Sequence, residues 1–185
     1  MDNSVLIILE HDGKVIPAIS RELISEGARL SSLLGVPLTA AAVGYQIKPA
    51  LEEMGWYGCD RIYYIEDKRL AHFTSLPYSK AVVSLIRKTR PQIVLFGATT
   101  TGRDMAPRVA SALGCGLTAD CTAFQIGDHK DKGKEYKNIL FQIRPAFGGN
   151  IIATIVSPES SPSMATVRTG VLKLAGRIRP ERWKS

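Results

Sequence analysis

The chain has 185 residues, 45% of them hydrophobic and 22% charged, with a net charge of +7 at pH 7. That size and apolar content predict one domain, or one domain with a small extension, around a sizeable core, and exclude a disordered polypeptide. The longest apolar runs, Val5–Leu9 and Leu38–Val43, fall far short of the roughly 18–20 residues of a membrane helix, and no basic segment precedes the first, so neither membrane insertion nor a signal peptide is expected and the cytoplasm is the expected compartment.

Ser4–Glu10 reads as a strand buried on both faces, followed by the turn signal His11-Asp12-Gly13-Lys14. Ile19, Leu23, Ala28, Leu30 and Leu34 recur at helical spacing until Gly35 and Pro37 stop the helix. Leu38–Val43 predicts a second strand ending at Gly44, Ala50, Leu51 and Met54 a short helix ended by Gly55, and Arg61–Ile65 a third strand. A longer helix is expected from about Pro77 to Arg90, with Ala81, Val82, Leu85 and Ile86 inward, before Pro91 breaks it. Gln92–Phe96 is a fourth strand, Ala98–Thr101 a hydroxyl-rich turn, and Met105, Val109, Ala110 and Leu113 one face of a helix closed by Gly114. This alternation predicts a three-layer α/β fold, with a parallel sheet covered on both faces.

Beyond Gly116 strand-like segments follow one another without room for helices. Thr118–Ile126 and Tyr136–Ile143 flank a polar hairpin loop, Gly127–Lys134, and Asn150–Val156 and Ala165–Thr169 are further strands. An antiparallel β extension at the edge of the parallel sheet is expected, with Ser157–Ser163 an exposed connection. The domain is expected to cover residues 1–172, with a parallel core to about 116 and the extension from about 117, ahead of a basic linker or tail at 173–185. That tail holds Lys173, Arg177, Arg179, Arg182 and Lys184 against Glu181, so most of the net positive charge belongs to it. The body shows no interleaving of basic and aromatic residues, which argues against a nucleic-acid partner.

Two stretches invite a functional reading. Gly97-Ala98-Thr99-Thr100-Thr101-Gly102-Arg103 joins a strand to a helix start, where free N–H groups gather anions. It is neither G-x-x-x-x-G-K-[ST] nor G-x-G-x-x-G, and Asp104 opposes a phosphate. Gly97, Thr99, Thr100, Thr101, Gly102 and Arg103 are therefore candidate cofactor-binding residues, set against a structural reading in which Asp104 caps the helix and Arg103 forms an ion pair or meets a partner. Arg144-Pro145-Ala146-Phe147-Gly148-Gly149-Asn150 places paired glycines between two strands beside a guanidinium, which suits either a glycine bulge or a partner interface built from Arg144, Phe147, Gly148, Gly149 and Asn150.

Catalytic chemistry finds no foothold. His11, His72 and His129 are scattered, Glu52-Glu53 is a solvated helix face, and no Ser-His-Asp arrangement emerges from spacing. Cys59, Cys115 and Cys121 are odd in number and lack C-x-x-C spacing, so buried thiols are expected rather than a metal site or a disulfide.

Taken in order, Val5–Lys14, Leu95–Thr99 with Gly102-Arg103-Asp104 and Pro107-Arg108, Gly116–Thr122, Arg144–Asn150 and Ala165–Gly170 resemble the N-terminal domain of the electron transfer flavoprotein alpha subunit over nearly the whole chain. The resemblance implies an adenine-nucleotide-hydrolase-like (Rossmann-like) fold and a heterodimer with the beta subunit, carrying electrons from dehydrogenases to an acceptor through FAD. In that family FAD sits mainly on a C-terminal domain, which is expected to be absent from these 185 residues. FAD is therefore expected in the full complex and not on this chain alone, with AMP or a second FAD on the partner subunit. The expected role is a scaffold with no independent activity; the alternative is a stand-alone adenine-nucleotide-binding domain using the Gly97–Arg103 edge.

Overall fold

The computed structural model describes residues 3–146 and 151–176. Six strands form one parallel sheet in the order β3-β2-β1-β4-β9-β5. They are β1 (Val5–Ile8), β2 (Leu38–Gly44), β3 (Arg61–Glu66), β4 (Ile93–Gly97), β5 (Leu117–Cys121) and β9 (Ser163–Val167). Three more, β6 (Ala123–Asp131), β7 (Lys134–Ala146) and β8 (Ile151–Ile155), form a separate antiparallel sheet. The helices are α1 (Ala18–Leu34), α2 (Lys48–Leu51), α3 (Ser75–Thr89) and α4 (Thr100–Leu113).

Alternation along β1 makes the layers. Val5 and Ile7 pack with Leu23, Leu30, Met54 and Tyr57, from α1 and the turn after α2. Leu6 and Ile8 pack with Val82, Ile86, Met105 and Val109, from α3 and α4. Both faces of β1 are thus covered, as its unbroken apolar run requires. Each fully buried Leu or Ile contributes roughly 2 kcal/mol. Gly27 lets α1 lie against the sheet, since a Cβ there would stand 2.7 Å from Leu38 Cδ1.

The expected α/β alternation is present, and so is the antiparallel part in the C-terminal third. Four details differ. Gly55 does not end the second helical segment: a 3-10 turn, Glu52–Tyr57, runs through it to Gly58, which takes the left-handed conformation at φ 94°. Thr118–Ile126 is two strands, because Asp120 at φ 65° bulges β5 and Thr122 N–H already donates to Ile143 O in the second sheet. The polar segment from Gly127 is strand almost to its end, reversing only at Lys132 and Gly133, both of positive φ. Charged residues suit a ribbon that faces water, so polarity concealed it. Finally, β5 and β9 are parallel members of the main sheet, with β9 slotted between β4 and β5.

Candidate functional site

The carboxyl ends of the parallel strands carry the charged residues that the sequence separates most widely. β1 runs into Glu10, whose carboxylate reaches the start of α4. Thr99 Oγ1 donates to Glu10 Oε2 at 2.7 Å and accepts the Gly102 N–H at 3.0 Å. Thr99 is therefore the helix cap, in place of the expected Asp104, and it relays a negative charge of the chain's own to the positive end of α4. Asp104 instead binds Ser75 Oγ and Arg108 Nε. Those two hydrogen bonds, Ser75 first, hold its carboxyl below the usual range.

Close packing explains both glycines of the loop. A Cβ on Gly102 would stand 1.9 Å from Gly97 O, and one on Gly97 would stand 2.7 Å from Glu10 Oε1. That oxygen is buried without a hydrogen-bond partner, and burial pushes the Glu10 carboxyl up despite the Thr99 hydroxyl. The neighbouring cleft, about 180 Å³, is lined by Glu10, His11, Asp12, His72, Phe73 and Thr101 among others. Two carboxylates and so small a volume do not fit a nucleotide's phosphates. His11 is engaged as well: its Nδ1 accepts the Gly13 N–H at 3.1 Å, leaving Nε2–H to donate to Val43 O at 2.7 Å.

A second charged group lies where β9 and β5 end. The β5 bulge presents Asp120 to Arg168 NH2 at 2.7 Å and Arg103 NH2 at 3.3 Å. The Arg168 hydrogen bond, then the charges of Arg168, Arg103 and Arg144, hold the Asp120 carboxyl below its ordinary range. Two guanidiniums thus contact one carboxylate, and the charge of a third, Arg144, acts on it as well. Thr166 Oγ1 fixes the bulge by accepting the Asp120 N–H at 2.9 Å, and Cys121 O accepts the Arg168 N–H at 2.9 Å.

Of the candidate residues, Thr99 and Gly102 meet at the cap, Thr101 lines the cleft, Thr100 is exposed, and Arg103 turns to Asp120. Arg144 lies on β7 within electrostatic reach of the same carboxylate. Phe147, Gly148, Gly149 and Asn150 lie outside the described residues. Sequence reasoning named Glu10, Asp120 and Arg168 only as parts of longer motifs and gave them no role; no local pattern links Glu10 to Thr99. Burial pushes the Cys59 and Cys121 thiols to about 12. They are therefore protonated at neutral pH and poor nucleophiles. Among the described residues no group of three His, Cys, Asp or Glu is placed to hold a metal, and no helix is long and apolar enough to cross a membrane.

The Electron transfer flavoprotein domain family matches residues 5–182. Electron transfer flavoprotein subunit alpha of Thermoanaerobacterium thermosaccharolyticum is 38% identical over 168 residues, which are 91% of this chain and 48% of that protein. Protein FixB of Rhizobium meliloti is 39% identical over 178 residues, 94% of this chain and 48% of its own length. Lactate dehydrogenase (NAD(+),ferredoxin) subunit LctC of Acetobacterium woodii is 36% identical over 175 residues, 94% of this chain and 40% of its own. The chain spans about half the length, or somewhat less, of these curated relatives.

Proposed function

The chain belongs to the electron transfer flavoprotein family, with the sequence of an alpha-subunit N-terminal domain, and we propose that it acts as a scaffold in a flavin-using complex without itself holding the flavin. It packs beside a beta subunit, and the assembled complex carries electrons from a dehydrogenase to an acceptor through FAD. AMP or a second FAD belongs to the beta subunit. One observation carries the scaffold reading: Glu10, through Thr99, supplies the negative charge at the α4 start that a bound phosphate would otherwise supply. Electron transfer needs cofactors held close together, which this domain serves through docking geometry rather than through an acid or a base.

The interface is assigned to Arg144 and the β7–β8 ribbon, and also to Phe147, Gly148, Gly149 and Asn150, which lie outside the described residues. Support comes from Ile151 and Ile152 at the start of β8, which are 53% and 72% exposed, and from β8 being an edge strand of its sheet. The purified chain is expected to be colourless and to give no heat when titrated with AMP, ATP, FAD or NADH. Co-expressed with the beta subunit it is expected to elute as a one-to-one complex, which Arg144→Glu combined with Ile152→Asp weakens at least tenfold. Stoichiometric yellow flavin on the isolated chain would overturn the scaffold reading. Tight AMP binding abolished by Arg103→Ala would make the chain a nucleotide-binding domain in its own right.

A further inference from the structure

The outer layer formed by α3 and α4 is basic. α3 contains Lys80, Arg87 and Lys88 and no acidic residue, and α4 contains Arg103 and Arg108 against Asp104 alone. Between the two helices runs an open groove of about 450 Å³, lined by Leu76, Ser79, Lys80, Val83, Arg87 and Arg108 among others. Leu76, Lys80, Val83 and Arg87 follow one another at four, three and four residues, so cations and aliphatic side chains alternate along one face of α3.

The groove is unusual in what it leaves unpaired. Leu76 is 61% exposed, and Lys80 makes no ion pair among the described residues. Ser79, 94% buried against the groove floor, has a hydroxyl with no hydrogen-bond partner among them. Arg87 spans the groove, donating to Ala112 O at 2.9 Å, and Arg108 meets Asp104 at 3.1 Å. Among the described residues only Arg108 of the three lining cations is therefore neutralised by a carboxylate. The lining contains no aromatic ring on which a base could stack.

We propose that the α3–α4 groove docks an acidic, amphipathic helix of a protein partner, its aliphatic stripe on the exposed Leu76, beside the buried Val83 in the groove wall, and its carboxylates on Lys80 and Arg87. Lys80 and Arg87 stand two helical turns apart, roughly 10 Å, which matches carboxylates seven residues apart on a docked helix. This surface lies on the opposite side of the main sheet from α1 and does not depend on the scaffold reading.

The test uses the full chain and a fluorescein-labelled 18-residue peptide with leucines at every third or fourth position and glutamates on both flanks, followed by fluorescence anisotropy in 50 mM NaCl. Saturable binding is expected, at least tenfold weaker for the double variant Lys80→Glu/Ser84→Glu, in which Ser84 also lines the groove, for Leu76→Ser and for a scrambled peptide of the same composition, and weakened for the wild type in 300 mM NaCl. Thermal melts followed by circular dichroism establish that each variant is folded; Leu76 is exposed, so its variant decides the matter if the double variant melts early. No saturable binding, equal affinity for the scrambled peptide, or an unchanged affinity in the folded variants overturns the proposal. A 20-nucleotide single-stranded oligothymidylate that binds more tightly than the peptide overturns it in favour of nucleic acid.

Discussion

Two positions along one sheet edge have opposite electrostatic solutions. Where β1 and β4 end, the positive start of α4 is answered from inside by Glu10 through Thr99, and the carboxylate is left short of partners. Where β9 and β5 end, Asp120 is outnumbered by Arg103, Arg144 and Arg168. The first site is closed to anions and the second has cationic charge to spare. Equivalent places in a fold therefore need not share a function, and the side chains at the strand ends decide which place meets a partner.

The largest effect that bears on this contrast is expected from Gly102→Ala, whose new Cβ would fall 1.9 Å from Gly97 O. Backbone must move to admit it, so a loss of about 3 kcal/mol or more is expected in urea unfolding. A near-neutral result would show that α4 is free to slide and that the closed site is looser than described.

Asp120→Asn keeps the shape and tolerates the positive φ but removes the charge, and it is expected to lose about 1 kcal/mol at pH 7, limited by solvent screening. Because the folded-state value of Asp120 is depressed, its contribution is present above the unfolded carboxyl pKa and is lost as pH falls through the folded one. The variant and wild type should therefore converge in acid, and at high salt the gap should narrow. The smallest effect, with the opposite sign, belongs to Glu10→Gln. A raised folded-state pKa means stability that is complete below the unfolded value and is lost as pH rises through the folded one. Neutralising Glu10 is accordingly expected to gain about 0.5–1 kcal/mol at pH 8 and nothing near pH 4, read from urea midpoints. A loss at pH 8 would mean that the carboxylate's charge on α4 outweighs its burial.

Much of the fold was legible because it is written locally. The apolar runs of β1 and β4, the helical spacing of Leu23 and Leu30, and Gly35 and Gly114 as left-handed caps all act within a few residues of one another. Thr99 was harder to single out, since three consecutive threonines offer similar hydroxyls and only the approach of Glu10, 89 residues away, selects one. The place of β9 was not legible at all. Its pattern fits any buried strand, and its neighbours are fixed by packing between segments distant in sequence. The charged groups around Asp120 were hidden for the same reason: they come together only after β9 has been inserted.

That insertion orders events during synthesis. Among the described residues β5 has no strand neighbour in the main sheet other than β9, and β9 follows the other strands of that sheet in sequence. Until residues 163–167 emerge from the ribosome, the β4 edge has a vacant berth and β5 has nothing to register against. Strands β1 to β4 can assemble as they appear, whereas the arginine-lined end of the sheet waits for β9 to join β4 to β5.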